Sequence, residues 1–159
     1  MGAKRPDEVR QAWAEAYTCL LATVNSPGAL AMVVNMENNS YWGPAVAKAA
    51  SQLMPKEYSG QPRLVVPCVR SIVTRGESLR LRILALEAAQ PTVQVRPLGK
   101  GSWQPLLASH LARGVYEATL PNVQHDLEYY IAARAPDGQK VVWPAAAPQI
   151  PQTVVLMDE

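Results

Sequence analysis

One change of rhythm constrains this chain more than any other feature. Up to about residue 60 the apolar residues recur every three or four positions, and from Arg63 onward they recur every second position. The first spacing keeps side chains on one face of a helix, whereas the second keeps them on one face of a strand. A single element type cannot satisfy both. The sequence therefore predicts two regions, a helical segment over residues 1–60 and a β-rich domain over residues 61–159.

In the first region, Pro6 and Asp7 are a helix-start signal, because proline at the first helical position gives up an N–H that has no partner there. Val9, Trp13, Tyr17, Leu20, Leu21 and Val24 then mark one helical face, and "NSPG" (Asn25–Gly28) ends it. A second apolar stretch, "ALAMVVNME", and a third from Pro44 to Leu53 give two or three short helices in all. Between them lies "NMENNSYWGP", where Glu37, three asparagines and a Tyr-Trp pair stand close together.

In the second region "SLRLRILAL" alternates cleanly, with Leu79, Leu81 and Ile83 on one side and Arg80 and Arg82 on the other. "RLVVPCVRSIV" reads as a first strand that Pro67 confines to an edge or a bulge, since proline cannot donate to a ladder. "PTVQVRPL", "WQPLLA", "GVYEATLP", "LEYYIAARA", "QKVVWP" and "QTVVLM" follow, separated by the turn signals "TRGES", "GKGSW" and "PDG". Seven or eight short strands at roughly ten-residue intervals predict an all-β sandwich. The tract "WPAAAPQIP" (Trp143–Pro151) is expected to be a stiff connector that carries the chain from one sheet edge to the last strand.

Composition narrows the function classes. The chain of 159 residues is 48% hydrophobic and 18% charged with a net charge of +2, too little for a nucleic-acid partner. No apolar run approaches the roughly 20 residues that span a bilayer, so no membrane partner is expected. Cys19 and Cys68 are isolated, outside any metal or redox spacing, and are expected to act as small buried hydrophobes.

The segment "TLPNVQHDLEYYIAARAPDG" (Thr119–Gly138) resembles the end of a fibronectin type III or immunoglobulin-like domain, through Leu120, Tyr129, Ile131, Ala133 and Gly138. The resemblance implies an immunoglobulin-like antiparallel β-sandwich, preceded here by the short helices. It also implies that Tyr129 is the corner tyrosine, whose hydroxyl bonds back to loop backbone. The paired inter-sheet cysteines of immunoglobulins are missing. Taken whole, helices with a Trp-bearing turn before such a sandwich look similar to the C-terminal accessory regions of large bacterial carbohydrate-active enzymes.

Candidate chemistry is sparse. His110 and His125 lack metal-ligand spacing and read as exposed loop residues. Gly99 and Gly101 lack the strand–helix context of a phosphate loop. Ser102, His110 and Asp126 can be written as a triad, but no serine sits on a Gly-flanked elbow. Glu37 is a candidate acid for glycoside chemistry, yet it has no second carboxylate in a motif. It reads instead as the end of a helix closed by Asn38 or Asn39. No catalytic residue, metal or cofactor is assigned. Sugar contact through an aromatic face remains, with Trp103, Trp143 and Trp42 as candidates and Trp103, just after a glycine turn, the most exposed of them.

These readings converge on a non-catalytic accessory or structural module belonging to a larger secreted polysaccharide-acting enzyme. Its expected partner is an upstream catalytic domain of the same protein, with polysaccharide as a further ligand. The expected compartment is extracellular or periplasmic, the signal peptide lying upstream of this fragment. A carbohydrate-binding module using one exposed Trp is the alternative, and a small enzyme centred on "NMENNSYW" a third reading.

Overall fold

The structure, a computed structural model, describes residues 6–22, 29 and 60–157. The chain divides into two compact units, Met1–Gly60 and Gln61–Glu159. In the first, α1 spans Pro6–Ala22, opening on the proline as its sequence signal requires. Trp13 is half-buried and Ala14 fully buried on this helix. The described residues thus hold one complete helix rather than two or three. The segments expected to form the second and third helices, and "NMENNSYWGP" with Glu37 and Trp42, lie outside the described residues. No helix among the described residues is long and apolar enough to cross a membrane.

The second unit is a two-sheet β-sandwich. Its strands are β1 (Arg63–Val65), β2 (Ile72–Thr74), β3 (Leu79–Leu86), β4 (Ala89–Pro97) and β5 (Gln104–Leu107). They continue with β6 (Ser109–Ala112), β7 (Val115–Leu120), β8 (Leu127–Arg134), β9 (Lys140–Trp143) and β10 (Gln152–Met157). One sheet has the order β1-β3-β7-β6, the other β2-β10-β8-β4-β5 with β9 also on β8. Lettered in chain order, these are the A-B-E-D and the extended G-F-C sheets of an immunoglobulin-like sandwich.

The alternation read from the sequence places the core. Leu79, Leu81 and Ile83 of β3 and Ala118 of β7 face Val93 of β4 and Leu127, Tyr129, Ile131 and Ala133 of β8. Val73 and Val154 complete it from β2 and β10. Aliphatic side chains on β3 and β8, such as Leu81 and Ile131, occupy the centre that a disulfide spans in immunoglobulins.

Three features depart from the sequence reading. First, Pro67 does more than bulge a strand. It divides the segment into β1 and β2, which belong to opposite sheets. After this crossover β2 runs beside β10 in the same direction, with Val155 opposite Ile72, so one pair in the sandwich is parallel. Second, "WPAAAPQIP" does not carry the chain between sheet edges. Trp143 lies opposite Ile131 and Gln152 opposite Tyr129, so β9 and β10 share one edge of β8. The tract between them folds into turns, in which Ala147 N–H donates to the Pro144 carbonyl at 2.9 Å and Ile150 N–H to that of Ala146 at 3.1 Å. The peptide bonds before Pro144 and Pro148 are cis. Third, Cys68 is exposed in the β1–β2 crossover rather than buried, and it is in no disulfide.

Candidate functional site

The outer face of the larger sheet gathers charged, polar and aromatic side chains into one patch. Because Val93 faces the core, Thr92, Gln94 and Arg96 of β4 face outward. By the same alternation β8 turns Glu128, Tyr130, Ala132 and Arg134 outward. Register then pairs Arg96 with Glu128, Gln94 with Tyr130 and Thr92 with Ala132. On the far side of β8, Lys140 of β9 lies opposite Arg134.

One end of this face is packed tightly. Arg96 Nε donates to Glu128 Oε1 at 2.5 Å, and Glu128 is 7% exposed, so the ion pair is shielded from water on its acidic side. The Arg96 guanidinium also lies 4.1 Å from the centroid of the Trp103 ring. Trp103 in turn meets Tyr130 edge-on, at 4.8 Å between centroids and 85° between planes. Lys140 reaches the same tyrosine, with Nζ at 5.7 Å from its ring. Glu128, Arg96, Trp103, Tyr130 and Lys140 therefore form a continuous chain of contacts across three strands and the β4–β5 turn.

Beyond Tyr130 the face falls away. Thr92 and Ala132 are small and lie side by side, leaving a depression between the Gln94–Tyr130 pair and the Arg134–Lys140 pair. An open groove of about 810 Å³ occupies it, with Gln90 and Leu107 on its flank. Gln90 holds a positive φ of 50° at the register shift within β4, between Ala89 and Thr92. A bulge of this kind redirects a side chain that regular pairing would place elsewhere.

The tryptophans named from sequence are thus placed as follows. Trp103 is half-buried between Arg96 and Tyr130 rather than projecting from its turn. Trp143 is half-buried and stacked on Tyr129, 6.1 Å between centroids and 28° between planes. Tyr129 itself is fully buried, and its hydroxyl has no hydrogen-bond partner among the described residues. Burial raises its pKa above the ordinary tyrosine value, and Cys68 nearby adds to the rise.

Of the other candidates, His110 lines one side of the groove beside Tyr116, 5.0 Å between ring centroids, and the rest stay apart. His110 is exposed on β6, its Nε2 at 2.6 Å from the Arg113 carbonyl oxygen, and His125 is exposed in the β7–β8 loop. No cluster of metal-ligating side chains occurs among the described residues. Asp126 turns to structure, its Oδ1 accepting the Leu156 N–H at 2.7 Å.

Sequence reasoning missed the Arg–Glu pairs and the groove. The pairs have a partial signal, since Arg82 and Glu117 occupy outward positions of strands that prove adjacent, and Arg82 Nε donates to Glu117 Oε2 at 2.7 Å. The groove has none, because it depends on which small residues the register brings together.

No protein-family model matches the chain, and no curated protein matches it. Among solved structures, 77% of the chain is similar to 25% of an endo-β-1,4-mannanase from Thermotoga petrophila, at 13% identity and a TM-score of 0.43. The chain thus spans about a quarter of that enzyme's length. A further 60% alignment covers 95% of a structure of Clostridium thermocellum CbhA fibronectin(III)-like modules, at 16% identity and a TM-score of 0.37. The bacterial superantigen toxic shock syndrome toxin-1 is covered in full by 62% of the chain, at 12% identity and a TM-score of 0.45. With TM-scores this low, the likenesses add nothing to what the strand order itself says.

Proposed function

We propose that this chain is a non-catalytic accessory β-sandwich module, serving a polysaccharide-acting catalytic domain on the same polypeptide. One observation carries the reading: the strand carboxylates Glu117 and Glu128, and the tryptophans Trp103 and Trp143, are engaged by neighbouring side chains. Glu117 is held by Arg82 and Glu128 by Arg96, each pair directly opposed across neighbouring strands. Glu77 is held by Arg70 in the same manner between loop and turn. Glycoside hydrolysis asks for two carboxylates facing a sugar, one of them able to carry a proton. Carboxylates locked to guanidinium groups stabilise a sheet instead. Trp103 and Trp143 are likewise engaged, by Arg96 and Tyr130 in one case and Tyr129 in the other. A sugar-stacking platform needs a ring face open to solvent.

The test is affinity electrophoresis through gels holding neutral glycans (mannan, xylan, hydroxyethylcellulose), with a parallel assay for released reducing ends. The whole chain and its Trp103→Ala variant are expected to migrate alike and unretarded, and neither to release sugar. Retardation that Trp103→Ala abolishes would convert the reading to a Trp-based binding module. Turnover that Glu37→Gln abolishes would convert it to an enzyme.

A further inference from the structure

We propose that the groove on the outer face of the β4–β8–β9 sheet binds a carboxylated polysaccharide, one carrying uronic acid units. This goes beyond the accessory reading and does not depend on it.

The first argument is charge. Arg70, Arg82 and Arg96 each hold a carboxylate. Arg134 and Lys140 do not: among the described residues neither has an acidic oxygen within 4.0 Å. The carboxylate between them in sequence is Asp137 in the β8–β9 turn, and Glu87 in the β3–β4 turn precedes Ala89, which pairs with Arg134. Asp137 accepts the Gln139 N–H at 2.9 Å, and neither residue lines the groove. Moreover Arg134 and Lys140 are directly opposed cross-strand neighbours. Like charges in that position repel and destabilise a sheet. Every other directly opposed outward pair of long charged side chains described above is complementary. An anion seated between the two cations removes the repulsion, and a guanidinium supplies the planar fork that matches a carboxylate.

The second argument is the neutral lining. Thr92 offers a hydroxyl and Gln94 and Gln90 offer amides, each both donor and acceptor. Such groups match sugar hydroxyls. A volume of about 810 Å³ falls in the range of small-ligand sites and has room for a short run of sugar units. The third argument is what the groove lacks. Its charged and polar groups are side chains that project from the sheet face, whereas an extended peptide is held by backbone groups along an edge. Its rings are engaged already, Tyr130 by Trp103 and Lys140 and Tyr116 by His110, so no free aromatic plane awaits a nucleobase.

The experiment uses the whole chain in affinity gels containing polygalacturonate, uncharged galactan or poly-glutamate. Retardation is expected with polygalacturonate alone. The double variant Arg134→Gln/Lys140→Gln should bind about tenfold more weakly or worse, as loss of charge-assisted hydrogen bonds implies. A control, Arg80→Gln/Lys100→Gln, removes the same charge from exposed positions outside the groove and should bind as the parent does. Circular dichroism establishes that both variants are folded. Absence of retardation by polygalacturonate overturns the proposal. So does equal weakening in both variants, which would mean non-specific attraction. Equal retardation by poly-glutamate would also overturn it, in favour of an acidic peptide. The neutral-glycan experiment above is independent of each of these outcomes.

Discussion

Tyr129 and Glu77 show how differently two polar side chains of one sandwich can be used. Tyr129 was legible as a core position, because it alternates with Leu127 and Ile131, but its role was not. A corner tyrosine needs a loop carbonyl at its hydroxyl, and the path of a loop is not written in strand periodicity. In this fold the hydroxyl is buried with no partner among the described residues. A buried polar atom that has lost its water and gained no bond costs stability, so Tyr129→Phe is expected to raise the unfolding free energy by about 1 kcal/mol. Urea denaturation measures it. A loss of similar size would instead reveal a hydrogen bond from this hydroxyl.

Glu77 has the opposite situation. Its carboxylate accepts from Arg70, with Nη1 at 2.5 Å and Nη2 at 3.1 Å, and from the N–H and hydroxyl of Thr74, each at 3.1 Å. The Arg70 hydrogen bonds, and after them those of Thr74, lower its pKa from 4.5 to about 2. A folded-state pKa below the unfolded value means that the stabilisation is fully present above about 4.5. It is lost as pH falls towards about 2, where the folded protein also takes up the proton. Glu77→Gln should therefore be less stable than the parent at pH 7, and the gap should close between those two values. A gap of constant size down to the lower limit would separate the effect from the carboxylate's charge.

At the scale of the element, what the sequence made legible is what alternation encodes. β3, β7 and β8 were readable because their sequences alternate, and their alternate residues Leu79, Leu81 and Ile83, Ala118, and Leu127, Tyr129, Ile131 and Ala133 join the core, while in β4 Val93 and Val95 keep the same beat. β6 was not, since "SHLA" is four residues with Ser109, His110 and Leu111 exposed, and its reason for being a strand is the pairing with β7. The two interrupted strands were half-legible. Pro67 and the Pro144–Pro151 tract both announce a break, because proline removes a ladder donor. Whether the chain then changes sheet, as between β1 and β2, or returns to the same edge, as between β9 and β10, depends on what remains unpaired. Beside β8 an edge was still open for Gln152, Thr153 and Val154, and β10 fills it. The groove belongs to this same level. Thr92 and Ala132 are 40 positions apart, and only the β4–β8 register, itself shifted by the bulge, sets two small side chains next to each other.

At the scale of the molecule, the sandwich has a core of its own. Among the described residues, every member of its buried cluster lies between Leu64 and Val154, and the half-buried residues packed on that cluster lie between Ala88 and Leu156. All described strands of both sheets lie within Gln61–Glu159, including the parallel β2–β10 pair that ties the beginning of the unit to its end. A domain of about a hundred residues with its own core is large enough to fold cooperatively alone. Residues 61–159 expressed without the preceding segment are therefore expected to unfold in one transition. Tryptophan fluorescence, which reports Trp103 beside Tyr130 and Trp143 beside Tyr129, should follow the same urea curve as far-ultraviolet circular dichroism. Non-coincident curves, or a fragment without a folded baseline, would mean that residues 1–60 supply part of what holds the sheets together. Coincident curves would place the determinants of this fold within residues 61–159. The Arg134–Lys140 groove could then be tested on the sandwich alone.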